Sequence, residues 1–432
     1  MKYIKDKAIV LIMLIIYIAL LKWAYVTSIS KLFSYMGYTY HDLSVIAIII
    51  SWMLPIIPII WMPLTIQRPS QIIYWLLYLS VVVPSCIIPW YSLKLDITVL
   101  CMLIIVLLMV FGIIGLIYRI PLVRIPRINI TWNIFGVIML FIAVALYFMV
   151  VSVYGFHIKY VPLTDVYAQR LEYSIKALQT STIVLYAINW LGNVINPVLL
   201  VWGLYKNKTL LVIGGILGQL FIYSINGSKL VFLSIVLILA LFILIKIFKL
   251  KRFSLTLISL FIMLFLVCII IDWYSKGIFF SSLFIRRLVV TPGLLTGYYF
   301  DFFSIHEKVV LSDSIFSKLA QYPYSWPFQN LIGSTYFGSI EASANANIWA
   351  NAFAHFGFCG QIVFSIIFAV VLWIYDSIAQ DKLILGTLII SIYAFVFANT
   401  GLLTSLLTGG FWLSVLIVYL IPVDKDNTRN RY

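Results

Sequence analysis

Apolar residues run along this chain in long unbroken stretches, at 8–20, 45–60, 99–117, 134–151, 230–245 and 255–271, separated by short polar clusters. A helix needs about 20 mainly apolar residues to cross the hydrocarbon of a bilayer, and these stretches reach that length with their flanks. They are rich in Ile, Leu and Val without the period-2 alternation of a membrane β-barrel, so each reads as a transmembrane helix. The pattern predicts an all-α bundle, one integral membrane domain over residues 1–432. Twelve spans are expected, at 8–24, 43–66, 72–92, 98–118, 131–153, 181–204, 209–225, 229–247, 254–271, 357–375, 383–402 and 405–422. The first run follows Lys2, Lys5 and Lys7 in the manner of a signal peptide. Lys22, Trp23 and Tyr25 stand where the small residues of a cleavage site belong, so it is expected to remain as the first span.

Composition agrees: 64% of residues are hydrophobic and 10% charged, far from the balance of a soluble domain. The formal charge of +15 is not gathered into a nucleic-acid patch but punctuates the spans. With both termini on the cytoplasmic side of the membrane, the inside loops hold 17 of the 29 basic residues and 5 of the 14 acidic ones, as positive-inside topology requires. The outside then has a smaller segment, 154–180, and a larger one, 272–356, whose aromatics and prolines predict short interfacial helices and ordered loops. The cysteines (Cys86, Cys101, Cys268 and Cys359) lie in or beside apolar spans without CxxC or metal spacing, and read as packing residues. No phosphate loop of the GxxxxGK type occurs, which argues against ATP hydrolysis.

Candidate chemistry concentrates outside, because the span interiors are nearly free of ionisable residues. Thr291-Pro292 has the form of an N-cap and N1 opening a helix, and Arg286 and Arg287 precede it by one turn; together they predict an anion cradle. Snorkelling of both arginines to lipid headgroups is the plainer alternative. Lys229, in the tight turn Asn226-Gly227-Ser228-Lys229, is a cation on the disfavoured side, and Arg170 with Glu172 lies in the smaller outside segment. Asn347, Asn351 and His355 recur at i, i+4, i+8 and would form one polar stripe on a helix. A stripe satisfied by neighbouring helices accounts for it equally. His355 or His306 is a candidate general base, while Tyr298, Tyr299 and Asp301 are candidate contacts to a polar ligand with flat faces. No metal ligand set is predicted.

The span layout with one dominant outside loop, the paired arginines before TPG, the YYFDFF run and NANIWANAFAHFGFCG leading into a span resemble the Wzy-type O-antigen and oligosaccharide-repeat-unit polymerases. The resemblance covers the layout and, in residues, mainly 226–229 and 286–360. It implies a fold like that of the GT-C-like membrane glycosyltransferases. It also implies a metal-independent, inverting transferase that needs no cofactor and joins undecaprenyl-pyrophosphate-linked repeat units on the periplasmic face. Under it Arg286 and Arg287 meet the pyrophosphate, Lys229 and Arg170 are auxiliary cations, and His355 or His306 takes the acceptor proton. Implied partners are the lipid-linked glycan, membrane lipid, and a chain-length regulator and flippase of the same pathway, with no nucleic acid. An O-antigen ligase using the same donor, and a lipid-linked oligosaccharide flippase, are the alternative readings.

Overall fold

The computed structural model describes residues 2–156, 166–248, 250–314, 316–318 and 320–423. In chain order the helices are α1 Lys5–Leu32, α2 Val45–Ile60, α3 Gln71–Ser92, α4 Ile97–Arg119, α5 Trp132–Tyr154 and α6 Val166–Leu178. They continue with α7 Thr182–Lys206, α8 Thr209–Asn226, α9 Lys229–Phe248, α10 Phe253–Ser275, α11 Ser281–Ile305 and α12 Phe328–Phe337. The last are α13 Ile348–Ala379, α14 Leu383–Phe397 and α15 Leu402–Leu420. Among the described residues 11 helices are long and apolar enough to cross a membrane, while α2 and α14 are shorter. The all-α polytopic bundle is therefore as expected, and ten of the twelve expected spans coincide with long helices.

The additional long helix is α11, in a stretch expected to be loop followed by a helix from Thr291. Hydrogen bonds show that it does not cross. Ser254 bonds the Leu64 carbonyl, Ile66 N–H bonds the Leu250 carbonyl, and Ser70 bonds Asp376, so α3 and α10 start on one face, which also carries the Arg127–Asp381 ion pair. Both helices therefore end on the opposite face. There Asp272, in the last turn of α10, accepts the N–H groups of Phe280 and Ser281 at 3.0 and 2.6 Å and so fixes the start of α11. The Tyr298 hydroxyl, near the other end of α11, donates to the Gly37 carbonyl, in the loop whose Thr39 hydroxyl bonds the Ser92 carbonyl at the end of α3. Both ends of α11 belong to the face where α3 and α10 end.

The helix packs into the bundle through glycines. A Cβ on Gly293 would stand 2.6 Å from the Pro84 carbonyl carbon, and one on Gly297 would stand 2.8 Å from Leu93. These two residues form a G-x-x-x-G seam that lets α11 lie backbone to backbone on α3, and Ser85 donates to Thr296 across it at 2.9 Å. Thr291-Pro292 therefore opens no helix. The helix runs through it, with Thr291 N–H and hydroxyl both bonded to the Arg286 carbonyl, and the wide π turns over Ser281–Val290 absorb the N–H that Pro292 lacks.

α13 is two helices joined at a sharp turn. Phe356 and Gly357 have non-helical backbone angles, with Gly357 at φ 60°, a conformation open to glycine. The arm 348–355 folds back along the arm 358–379: Trp349 Nε1 donates to Ser365 Oγ at 3.1 Å and Gln361 Nε2 to the Trp349 carbonyl at 3.2 Å. Trp349 also meets Phe111 inside α4, so the shorter arm starts deep in the bundle and returns. Such irregular backbone persists at depth only when its polar groups are bonded. Asn347 meets that demand: its Oδ1 caps the N–H groups of Trp349 and Ala350, and its Nδ2 donates to Thr296 Oγ1 at 2.7 Å and the Pro292 carbonyl at 3.3 Å.

This architecture makes a topological prediction. Cysteines replacing Lys276 and Glu307, before and after α11, will label from one side of the membrane, and one replacing Lys208 from the other. A Glu307→Cys label sharing the side of Lys208→Cys would make α11 a crossing helix.

Candidate functional site

The re-entrant arm carries Asn351 and His355 to a pocket of about 120 Å³. Its opposite wall is the interruption between α14 and α15, where Asn399 and Thr400 line the space together with Thr404 in the first turn of α15. The turn is held by its own side chains: Asn399 Nδ2 donates to the Phe395 carbonyl and Thr400 Oγ1 to the Val396 carbonyl, each at 2.8 Å. Gly401 lies so close to Asn351 that a Cβ there would stand 2.3 Å from its Oδ1. Tyr299 of α11, whose hydroxyl donates to the Ala344 carbonyl at 2.7 Å, forms the side, with Gln329 and Asn345.

The roof is the segment 309–314. Val309 N–H bonds the Ala354 carbonyl at 2.9 Å, and the backbone then passes through Val310 and Leu311 at φ 49° and 61°. Left-handed backbone costs non-glycine residues roughly 1–3 kcal/mol each, and it is rarer still for a β-branched valine. The result is that Leu311 N–H points at His355 Nδ1, 3.1 Å away, and Asp313 stands with Oδ1 3.8 Å from His355 Nε2.

This arrangement settles the histidine's tautomer. Nδ1 accepts from a backbone N–H, so the proton of the neutral ring is on Nε2, facing Asp313. The imidazole has no free lone pair for a substrate proton. At 3.8 Å the Nε2–H and the carboxylate are too far apart to bond directly. The gap is wide enough for a hydroxyl about 2.8 Å from each, which would accept from Nε2–H and donate to Asp313. Burial raises the pKa of Asp313 above the ordinary carboxylate value, which makes it the stronger base. Of the two histidines expected as base, His355 thus has its Nδ1 lone pair engaged, and the carboxylate facing its Nε2 is Asp313, a residue the sequence did not single out.

The other candidates divide. Tyr299 and Asn351 line the same pocket, while Asn347 is the buried N-cap of the arm, with both amide atoms engaged. His306 is exposed, stacked on Phe302 at 4.0 Å and away from the pocket. Tyr298 stacks on Tyr336, whose hydroxyl bonds Asp301 at 2.5 Å; these three brace α12 against α11. Arg170 donates to the Gly227 carbonyl at 3.0 Å, so it and Lys229 come together at one turn, outside the pocket. Arg287 is half-buried in α11. Arg286 is 5% exposed: its Nε and Nη2 bond Ser282 Oγ, its guanidinium lies 4.1 Å over the Phe33 ring, and its buried Nη1 has no hydrogen-bond partner.

Asp313, Gln329, Asn345, Asn399, Thr400 and Thr404 were not anticipated. The polar Asn399-Thr400-Gly401 run interrupting an apolar stretch was the available signal. Among the described residues no group of three or more His, Cys, Asp or Glu side chains could hold a metal ion. No protein-family model, curated protein or solved structure matches the chain.

The partly exposed carboxylate of Asp313 carries a stability signature. With its folded pKa raised, Asp313 binds its proton more tightly in the folded chain, so stability falls as pH rises from the unfolded carboxylate range through the folded value. Asp313→Asn should be as stable as the parent or more so at pH 7, and the difference should shrink on acidification. Thermal unfolding in detergent across pH checks this; a clear loss of stability at pH 7 would make Asp313 a structural residue.

Proposed function

We propose that this chain is a glycosyltransferase working on lipid-linked glycans at the non-cytoplasmic face, joining one carrier-linked repeat unit to another. The observation that carries the proposal is the pair Asp313 and His355, set to hold a hydroxyl between carboxylate and Nε2–H in a pocket lined by side-chain amides and hydroxyls. No Lys or Arg lines that pocket, which suits a neutral polyol rather than a phosphate. Hydroxyl-rich ligands need many convergent neutral donors and acceptors, as Asn345, Asn351, Asn399, Gln329 and Thr400 provide.

In the proposed reaction an acceptor sugar hydroxyl gives its proton to Asp313 as its oxygen attacks the donor's anomeric carbon. The new glycosidic C–O bond forms as the bond from that carbon to the carrier's phosphate oxygen breaks, and the pyrophosphate leaves with the electron pair. The leaving group needs cations more than acids. The resemblance gives that role to Arg286 and Arg287; Arg286 has a buried Nη1 without a hydrogen-bond partner, and neither arginine lines the pocket. The family resemblance is the second support, and it alone points to polymerisation rather than ligation.

Asp313→Asn should lower turnover by about 10²-fold or more, the usual contribution of a general base. His355→Ala should fall less far, and His306→Ala should stay near normal. Arg286→Ala should cost about 10²-fold, with partial recovery in Arg286→Lys, which keeps the charge and loses the fork. The assay is extension of carrier-linked repeats into a ladder by protein in membranes. In cells, deletion should leave single attached units; long chains stranded on the carrier would indicate a ligase, and units trapped in the cytoplasm a flippase. A ladder of normal rate from Asp313→Asn would remove the pocket from the reaction.

A further inference from the structure

The helix α6 is amphipathic in an inverted sense. At 100° per residue, Gln169, Arg170, Tyr173 and Lys176 share one side, and the opposite side carries Leu171, Ile175 and Leu178. The polar side faces the protein. Gln169 donates to the Ile225 carbonyl at 3.2 Å, and Arg170 to that of Gly227 at 3.0 Å. Tyr173 packs on Tyr154, and the Lys176 ammonium lies 4.8 Å over the Tyr154 ring. The apolar side faces away, with Leu171, Ile175 and Leu178 exposed by 63, 57 and 89%.

Position decides what covers that stripe. α6 lies in the segment between the spans α5 and α7, and its polar side is fastened to the turn joining the spans α8 and α9. It is thus held at the level where these four helices leave the hydrocarbon. The end of α5 exposes apolar side chains as well, Phe148 and, just past the helix, Phe156, by 75 and 69%. A helix at that level, with apolar residues on one side and its cation snorkelling over a tyrosine, has the form of an interfacial helix. We propose that α6 is a membrane-surface strap: its Leu171–Ile175–Leu178 stripe inserts among lipid acyl chains beside the bundle, and its polar side clamps the Asn226–Lys229 turn at headgroup level.

The experiment places single cysteines at 171, 175 and 178, with Glu172→Cys and Gln179→Cys as polar references. The parent is the full chain with Cys101→Ala and Cys359→Ala, because Cys86 and Cys268 are buried. Each is labelled with an environment-sensitive fluorophore and placed in phosphatidylethanolamine/phosphatidylglycerol vesicles. The three stripe positions are expected to emit at shorter wavelength than the references and to be quenched by lipids spin-labelled near the glycerol end of the acyl chain. Equal quenching of all five by aqueous iodide would place the stripe in water and overturn the proposal. So would a blue shift that lipid does not quench and that grows with protein density, since a second copy would then be the cover. Leu178→Cys removes a side chain that is 89% exposed, so its label reports even where replacement at 171 disturbs docking.

Discussion

The close approach of α11 to α3 is the contact on which the rest of the outer half depends. Gly293 and Gly297 leave no side chain between the two backbones, and Thr296 between them accepts from both Ser85 and Asn347. In hydrocarbon no water stands in for a lost partner, so the irregular chain before α13 can reach depth only where another element supplies its bonds. α11 supplies them: the Pro292 carbonyl and Thr296 hydroxyl hold Asn347, and the Tyr299 hydroxyl holds the Ala344 carbonyl. A methyl group on either glycine would push α11 outward and carry the Tyr299 side of the pocket with it.

The spans were legible in the sequence because the bilayer imposes one length on every crossing helix. α11 was not, for two physical reasons. Its serines, arginines and threonines dilute the apolar signal, and Thr-Pro normally marks a helix start; here π turns let the helix pass through. The stripe of Asn347, Asn351 and His355 was read with the right spacing, yet only the last two face the pocket, because Asn347 is consumed in holding the arm. Gly357 gave no warning that the chain doubles back there, since one glycine at a span edge fits a straight helix as well.

Asp313 was illegible for a different reason. It sits in a loop, where acidic residues are usually solvated, and nothing local distinguishes it from Glu307 or Glu341. What singles it out is a contact across the fold: the left-handed backbone at Val310 and Leu311 turns one N–H onto His355, which fixes the ring and leaves its other nitrogen toward the carboxylate. The strain is maintained by the bond from Val309 N–H to the Ala354 carbonyl, so roof and arm define each other.

The re-entrant arm also sets an order on biogenesis. A span can leave the insertion machinery sideways as a finished helix, since its backbone satisfies itself. The chain from Ala344 to Asn347 cannot: the Ala344 carbonyl and the Asn347 amide find partners only on α11, and Asn351 meets Gly401 only once α14 and α15, made after it, are in place. The pocket therefore forms only after the helices on both of its sides are in place. A chain halted before residue 401 would be threaded through the membrane yet hold no pocket.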